Sequence, residues 1–411
     1  MAKVVAVLFG GRTCEHEVSI LTAHEAMAVL AEMPGYEVLP VYITKSGRWL
    51  TGEVLSDLDK FAHPDDLERE CKPITLRPME PEPLELESGG LFGGGRKALH
   101  VDVALPLIHG PNGEDGTLQG VFEMIGLPYA GSGVLASALC MDKIAMKRAF
   151  TAADLPQVPY LGISRASWSA DRAGQLRRVD ALGDGPVFVK PVRGGSSIGV
   201  THVTAREALA DAIDLALHFD ADAVVEHAVV DALEINCSVL RDSEGLHASV
   251  LEAVRSEGGF LTYDQKYLQW SKGSPTKGPA GGAAAAKAPA GSKSAASGMS
   301  GHEVPASLPD DLTARIQSLA KAAFDACECD GVARIDFLVK GDEVFVNEIN
   351  TLPGSLAFYL WEASGVPFDQ LLDRMLVSAI ERDAVRQSLT YCLDRNLLAD
   401  IEARKGAKSA P

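Results

Sequence analysis

The chain has no GxxxxGK[ST] phosphate loop, no GxGxxG dinucleotide turn and no CxxC pair. These absences set aside the P-loop, Rossmann and zinc-module signatures. Basic residues are outnumbered: 38 Lys and Arg face 56 Asp and Glu, for a formal net charge of -18. That balance opposes a nucleic-acid partner, since phosphate-backbone binding depends on a basic surface. A few local lysines can still gather a small anion. No apolar stretch approaches the length of a membrane span. The run Val4 to Phe9 is shorter than a signal-peptide core and reads as a first strand. The seven cysteines, Cys14, Cys71, Cys140, Cys237, Cys327, Cys329 and Cys392, are an odd and scattered set. They read as small core residues in a reducing compartment, and Cys327-Glu328-Cys329 lacks the spacing and partner pair of a zinc knuckle. A soluble, cytoplasmic protein with no nucleic-acid or membrane partner is expected.

What is present is ample apolar material: 411 residues, 46% of them hydrophobic, suffice for two or three domains. Val4–Leu8, Gly10-Gly11 and the helical pattern of Val18–Leu30 make a βα start typical of open parallel sheets, with further strands at Tyr36–Ile43 and Val101–Pro106. Residues 54–98, rich in Pro, Glu and Gly, read as an elaborated connection. A second unit begins near Met141, with a helix over Asp142–Asp154, a strand over Pro186–Lys190, a helix over Ala205–Leu217 and a strand over Ala223–Glu226. A third opens around Asn236 and holds Ser249–Val254, a helix over Asp311–Ala326, a hairpin, and a closing helix over Phe368–Glu381. The expected division is 1–140, 141–235 and 236–385, followed by an extension over 386–411. Residues 271–301 are almost entirely Ser, Lys, Gly, Pro and Ala and predict a flexible insertion, as the tail from Ala403 does. The fold class is α/β, α+β in part.

The hairpin carries the most chemistry. Arg334-Ile335-Asp336 and Asn347-Glu348-Ile349-Asn350 flank strand-like runs and a polar turn at Lys340–Glu343. Strand side chains alternate, so Arg334 shares a face with Asp336, and Glu348 with Asn350. A three-residue loop would set Arg334 opposite Asn350 and Asp336 opposite Glu348. Two carboxylates and an amide oxygen are hard ligands suited to Mg²⁺, while Arg334 would clamp an oxyanion. Cross-strand ion pairs on a solvated hairpin are the plainer alternative. The loop Thr351-Leu352-Pro353-Gly354, shaped for ligand approach, favours a site.

Three other stretches bear on function. Lys190-Pro191 runs into Arg193-Gly194-Gly195-Ser196-Ser197-Ile198-Gly199, which can offer backbone N–H groups and hydroxyls to phosphate, with Lys190 and Lys143 as point charges, or can be a plain turn. His109-Gly110-Pro111-Asn112-Gly113-Glu114-Asp115-Gly116 lies at a strand carboxyl end, where open α/β sheets bind ligands; it can equally be a turn with helix-capping acids. Glu15 and Glu17 would cap the first helix, unless Glu15 faces a substrate ammonium. Glu226 and Glu234 bracket the strand-like Ala228-Val229-Val230, suiting a nucleoside with apolar walls and a ribose acceptor. Phe260–Tyr267 reads as a lid or an edge strand.

Taken in order, Phe9-Gly10-Gly11 with Glu15-His16-Glu17-Val18-Ser19, then His109–Gly116, Tyr129-Ala130-Gly131-Ser132-Gly133 leading to Met141-Asp142-Lys143, Lys190–Gly199, Glu226 with Glu234, Lys266-Tyr267 and Arg334–Gly354 resemble a D-alanine-D-alanine ligase of the ATP-grasp superfamily, over roughly residues 3 to 385. The resemblance implies a three-domain ATP-grasp architecture, ATP and two Mg²⁺ ions (Mn²⁺ as a substitute), an acyl-phosphate intermediate and a homodimer. It implies that Asp336, Glu348 and Asn350 hold metal. Lys143, Lys190, Ser196 and Ser197 would hold phosphates, Glu226, Val229 and Glu234 the nucleoside, and Lys266 would also bind the cofactor. Arg334 and the Gly354 N–H would face the oxyanion. Glu15, Ser196 and Tyr267 would close the site, with Glu15 and His109 at the first substrate. Three departures stand out. Tyr359 occupies a position where the family usually has a serine for the second substrate's carboxylate. Leu261 replaces a common aromatic, and the insertion after Tyr267 is long. The rival readings are an amino-acid ligase with another second substrate and a nucleotide-binding regulator without catalysis.

Overall fold

The computed structural model describes residues 2–86, 97–255 and 301–398. All but the last residue of the expected 271–301 insertion, the segment 260–267 read as a lid or an edge strand, with Leu261, Lys266 and Tyr267, and the tail from Ala403 lie outside the described residues. Three sheets organise the chain. The first has seven strands in the order β6-β5-β4-β3-β2-β1-β7, namely β1 Lys3–Gly10, β2 Tyr36–Ile43, β3 Trp49–Thr51, β4 Lys72–Leu76, β5 Leu84–Leu86, β6 Lys97–Leu99 and β7 Val103–Pro106. β1 runs parallel to β2 and β7 and is buried on both faces through Val5–Phe9, as central parallel strands are. The remaining pairings are antiparallel. The open parallel sheet expected from the βα start is therefore mixed, and the stretch read as a connection extends it by three strands. Those strands are three to five residues long, too short for periodicity to reveal.

The second sheet is β10-β9-β11-β8, built from β8 Tyr160–Ser164, β9 Val187–Pro191, β10 Thr201–Val203 and β11 Asp222–His227. The third is β14-β13-β12-β15-β16, with β12 Leu233–Asp242, β13 Gly245–Val254, β14 His302–Glu303, β15 Val332–Lys340 and β16 Glu343–Asn350. The strand-like segment Ala228–Val230 is instead a loop and turn between β11 and β12, with Asp231 left-handed at φ 57°.

Two helices bury their apolar sides away from the sheet nearest in sequence. Lys143–Ala152, capped by the Asp142 carboxylate on the N–H groups of Ile144 and Ala145, places Met146 and Phe150 in the core of the third sheet with Ile335, Phe337 and Ile349. Phe368–Gln387 places Leu371, Leu372, Met375 and Leu376 in the core of the first sheet with Val5, Val7 and Leu30. Each such side chain stabilises the docking by about 1.5–3 kcal/mol. Phe368–Gln387 thereby ties the first and third sheets together. Among the described residues no helix is long and apolar enough to cross a membrane. Four of the seven cysteines are buried, and Cys14 and Cys392 are exposed.

Candidate active site

The β15–β16 hairpin sets Arg334 opposite Asn350 and Asp336 opposite Glu348, with a register shift between Asp336 and Phe337. The pairing is the expected one, but its cause differs. Lys340 pairs with Glu343, leaving a two-residue turn, and Phe337 pairs with Val346. Without a bulge, Asp336 would face Asn347 and Glu348 would rotate to the other face. The extra residue, Asn347, restores the alignment that a three-residue loop would have produced. Arg334 Nε and Nη2 donate to the two Asp336 carboxylate oxygens at 2.7 and 2.8 Å, and Asn350 Nδ2 donates to Asp336 Oδ2 at 3.0 Å. Burial works against the Arg334 charge, and the Asp336 carboxylate outweighs it.

The pairing extends across the sheet: Asn236 on β12 is opposite Asp336 and also opposite Glu252 on β13. Glu252, Asn236, Asp336 and Glu348 thus form one polar row over four strands, on one face. The Glu348 end is rich in cations. Lys143, Lys190, Ser196, Ser197, Glu226, Val229, Glu234, Asp336, Asn347 and Glu348 share the lining of a cavity of about 830 Å³. Lys190 Nζ lies 2.6 Å from Glu226 Oε2 and Lys147 Nζ 3.0 Å from Glu226 Oε1. Burial pushes the Glu226 carboxyl up, but the two lysines outweigh it and hold it at about 2. Burial lowers Lys143, which is opposed by Glu348 and reinforced by Lys190; its ammonium donates to the Gly194 carbonyl at 2.7 Å. Arg193 reaches Asp142, Asp220 and Asp222 at 3.1, 2.8 and 2.8 Å, bracing the base of the Gly/Ser loop.

Glu15 caps nothing with its side chain. Instead Ser196 Oγ donates to Glu15 Oε1 across 181 residues. Ser196 and Ser197 are left-handed, at φ 54° and 60°, which turns this short segment toward Glu15. Gly110 and Gly195 leave room for that carboxylate: a Cβ would come within 2.5 Å of Glu15 Oε2 at the first and 3.2 Å of Oε1 at the second. Glu114 curls back to accept from the Gly110 N–H at 2.6 Å, and burial together with the Glu15 charge raises its carboxyl to about 8. Asp115 caps the next helix through Thr117, so the two acids of this loop divide between capping and the site. His109 is 4% exposed, Nε2 3.0 Å from Thr22 Oγ1, and burial lowers it to about 4.

After Gly354, Ser355, Leu356 and Ala357 are all left-handed, at φ 49°, 55° and 50°. For non-glycine residues this costs about 1–2 kcal/mol each, and such strain persists where surroundings over-determine it. Thr22 accepts the Ser355 N–H at 3.4 Å, so the hydroxyl beside His109 also holds this turn. The turn delivers Tyr359, whose hydroxyl donates to Glu252 Oε2 at 2.7 Å.

Asp336, Glu348 and Asn350 supply only hard oxygens on adjacent strands, a donor set that fits Mg²⁺. Among the described residues a tighter group of metal-type side chains is Asp242, Glu244 and His247 on the β12–β13 turn, but Arg374 Nη1, 3.3 Å from Asp242 Oδ2, already provides a cation there. Lys266 and Tyr267 lie outside the described residues. Sequence reasoning missed Lys147, Asn236 and Glu252. Lys147 stands four residues after Lys143, on the same helix face. Asn236 stands two after Glu234, on the same strand face. Glu252 carries no local signal.

The family model for the D-ala D-ala ligase N-terminus matches residues 4–132, and that for the D-ala D-ala ligase C-terminus matches residues 149–282 and 292–377. A D-alanine--D-alanine ligase of Thermosipho africanus is 35% identical over 402 residues, covering 98% of this chain and 99% of its own. Among solved structures, the D-alanine-D-alanine ligase from Coxiella burnetii superposes with a TM-score of 0.72 at 29% identity over 94% of this chain and 97% of its own. The VanG D-Ala:D-Ser ligase from Enterococcus faecalis does so with 0.73 at 27% over 92% and 100%. The mixed α/β architecture is thus the ATP-grasp fold of those neighbours, and the chain belongs to the D-alanine–D-alanine ligase family.

Proposed function

We propose that this chain is an ATP-dependent ligase that joins two D-alanines into D-alanyl-D-alanine for peptidoglycan precursors, acting in the cytoplasm as a homodimer. The observation that carries the reading is the meeting, in one cavity, of two lysines, a Gly/Ser loop and the Asp336–Glu348 pair, with Arg334 bound to Asp336 beside them.

Lys143, Lys190 and the Ser196–Ser197 loop hold the phosphates, and Glu226, Val229 and Glu234 the nucleoside. Glu226, clasped by two lysines, orients Lys190. Glu15 accepts from the ammonium of the first D-alanine, while His109, neutral at pH 7, lies beside it. The carboxylate oxygen of that D-alanine bonds to the γ-phosphorus as the bond from phosphorus to ADP breaks. The second amine then forms a C–N bond to the acyl carbon, the C–O bond to phosphate breaks with its electron pair leaving on phosphate, and the amine proton passes to solvent. Arg334 and the Gly354 N–H face the oxyanion of the tetrahedral intermediate, where preorganised donors contribute most. Two Mg²⁺ ions, with Mn²⁺ as a substitute, would be held by Asp336, Glu348 and Asn350 and would neutralise phosphate charge. Lys266 and Tyr267 would complete the phosphate clamp and the Glu15–Ser196 closure.

The test is phosphate release by the purified protein with Mg²⁺-ATP, expected to depend on D-alanine and to yield a dipeptide of the D-alanyl-D-alanine mass. A second reading, motivated by Tyr359, is a ligase whose second substrate is not D-alanine. Mixed dipeptides from a panel of second amino acids, with no D-alanyl-D-alanine, would move the assignment there. ATP binding without turnover for any amino acid would point to a regulator.

A further inference from the structure

The far end of the polar row has no part in the steps above. Glu252, 2% exposed, accepts from the Tyr359 hydroxyl at 2.7 Å and from Asn236 Nδ2 at 2.9 Å, and its other oxygen meets His302 Nδ1 at 2.7 Å. Burial raises its carboxyl, and these three partners with the nearby Arg334 charge outweigh burial and lower it. A buried carboxylate with three partners is an anchor rather than a base. Its place narrows what it anchors. The nucleotide cavity is lined by the Glu348 end of the row, and Glu252, Asn236 and Tyr359 are not part of that lining. An amine that displaces phosphate from an acyl group at Arg334 must stand beside Arg334 where phosphates do not. Tyr359, half-buried and close enough to feel the Arg334 charge, flanks that position.

We propose, on the footing of the ligase reading, that Glu252 is a positioning residue for the second amino acid. By taking the only hydroxyl hydrogen of Tyr359 it fixes that ring as the wall of the second subsite. The hydroxyl is then spent on Glu252, and the ring selects by size. The left-handed turn at Ser355–Ala357, held from the first-substrate side by Thr22, sets where the ring enters. The subsite therefore takes a small amino acid, and its discrimination rests on the rigidity of one aromatic side chain.

The test separates the half-reactions. Hydroxylamine intercepts the acyl phosphate as D-alanine hydroxamate without using the second subsite, whereas dipeptide formation uses both. For Glu252→Gln and Tyr359→Phe the KM for the second D-alanine is expected to rise about tenfold, and the hydroxamate-to-dipeptide ratio to rise with it. The double variant should be no worse than either single one, because both break the same link. Tyr359→Ala should admit bulkier D-amino acids as second substrates. Multiplying effects in the double variant, an equal loss of hydroxamate and dipeptide, or an unchanged second KM would overturn the proposal. If Glu252→Gln fails to fold, the second KM of Tyr359→Phe decides alone. Failure of the ligase reading looks different: the unmodified protein would make neither product.

Discussion

The two ends of the row Glu252–Asn236–Asp336–Glu348 use their carboxylates in opposite ways. At the Glu348 end the acids are met by cations: Lys143 and Lys190 feel Glu348, and Glu226 is clasped by Lys147 and Lys190. At the Glu252 end the bonded partners are a phenol, an amide and an imidazole. A region that must receive phosphates keeps mobile point charges whose pairing can be redistributed. One that must receive a small zwitterion keeps directional partners that hold a shape. Arg334 stands between the two, with its guanidinium on Asp336.

Several experiments can break that contrast. Glu226→Ala removes the carboxylate paired with buried Lys147 and half-buried Lys190 and is expected to destabilise the chain by about 3–5 kcal/mol, read by denaturant unfolding; adding Lys147→Met should recover part of the loss. A Glu226→Ala protein as stable as the parent would mean that the lysines are hydrated rather than paired. Arg334→Ala removes the oxyanion donor shared by both ends and should lower kcat by about 10²–10³-fold, with ATP binding retained in a calorimetric titration.

The first-substrate site, outside the row, gives a pH signature. His109 is lowered by burial from 6.5 to about 4, so the unfolded chain takes up a proton below 6.5 that the folded chain refuses until about 4. Stability is then lost as pH falls through that window, by about 3 kcal/mol from this group. His109→Gln should flatten the decline in urea midpoints between pH 6.5 and 4. An unchanged slope would show that His109 is hydrated. Ser196→Ala removes a hydroxyl bonded to the Glu15 carboxylate and should raise the KM for the first D-alanine about tenfold, a loss of about 1.4 kcal/mol. Arg193→Ala, on a half-exposed cluster, should cost about 1 kcal/mol or less and leave the amino-acid KM values alone.

Much of the site was legible because strands convert spacing into facing. Alternation placed Arg334 with Asp336 and Glu348 with Asn350, and a polar turn between apolar runs marked the hairpin. The bulge at Asn347 was not legible, since a longer loop yields the same register and composition cannot tell them apart. Glu15 read locally as a cap because an acid before a helix is usually one. Its partner Ser196 is 181 residues away, beyond any periodic signal, and only the family resemblance joined the two. The short strands of 54–98 were missed for want of length, and they add antiparallel pairings to the open parallel sheet expected at the start of the chain.

By itself the amino-acid order determined most of the residues that carry chemistry, Lys147, Asn236 and Glu252 excepted, and which of the hairpin residues share a strand face, because alternation and turn composition are local properties of the backbone. Only the tertiary structure decided that Lys147 and Lys190 converge on Glu226 and that Tyr359 is tied to Glu252. Those contacts depend on how three sheets and two cross-packed helices dock. Docking is set by the fit of whole apolar surfaces, which no window of sequence contains.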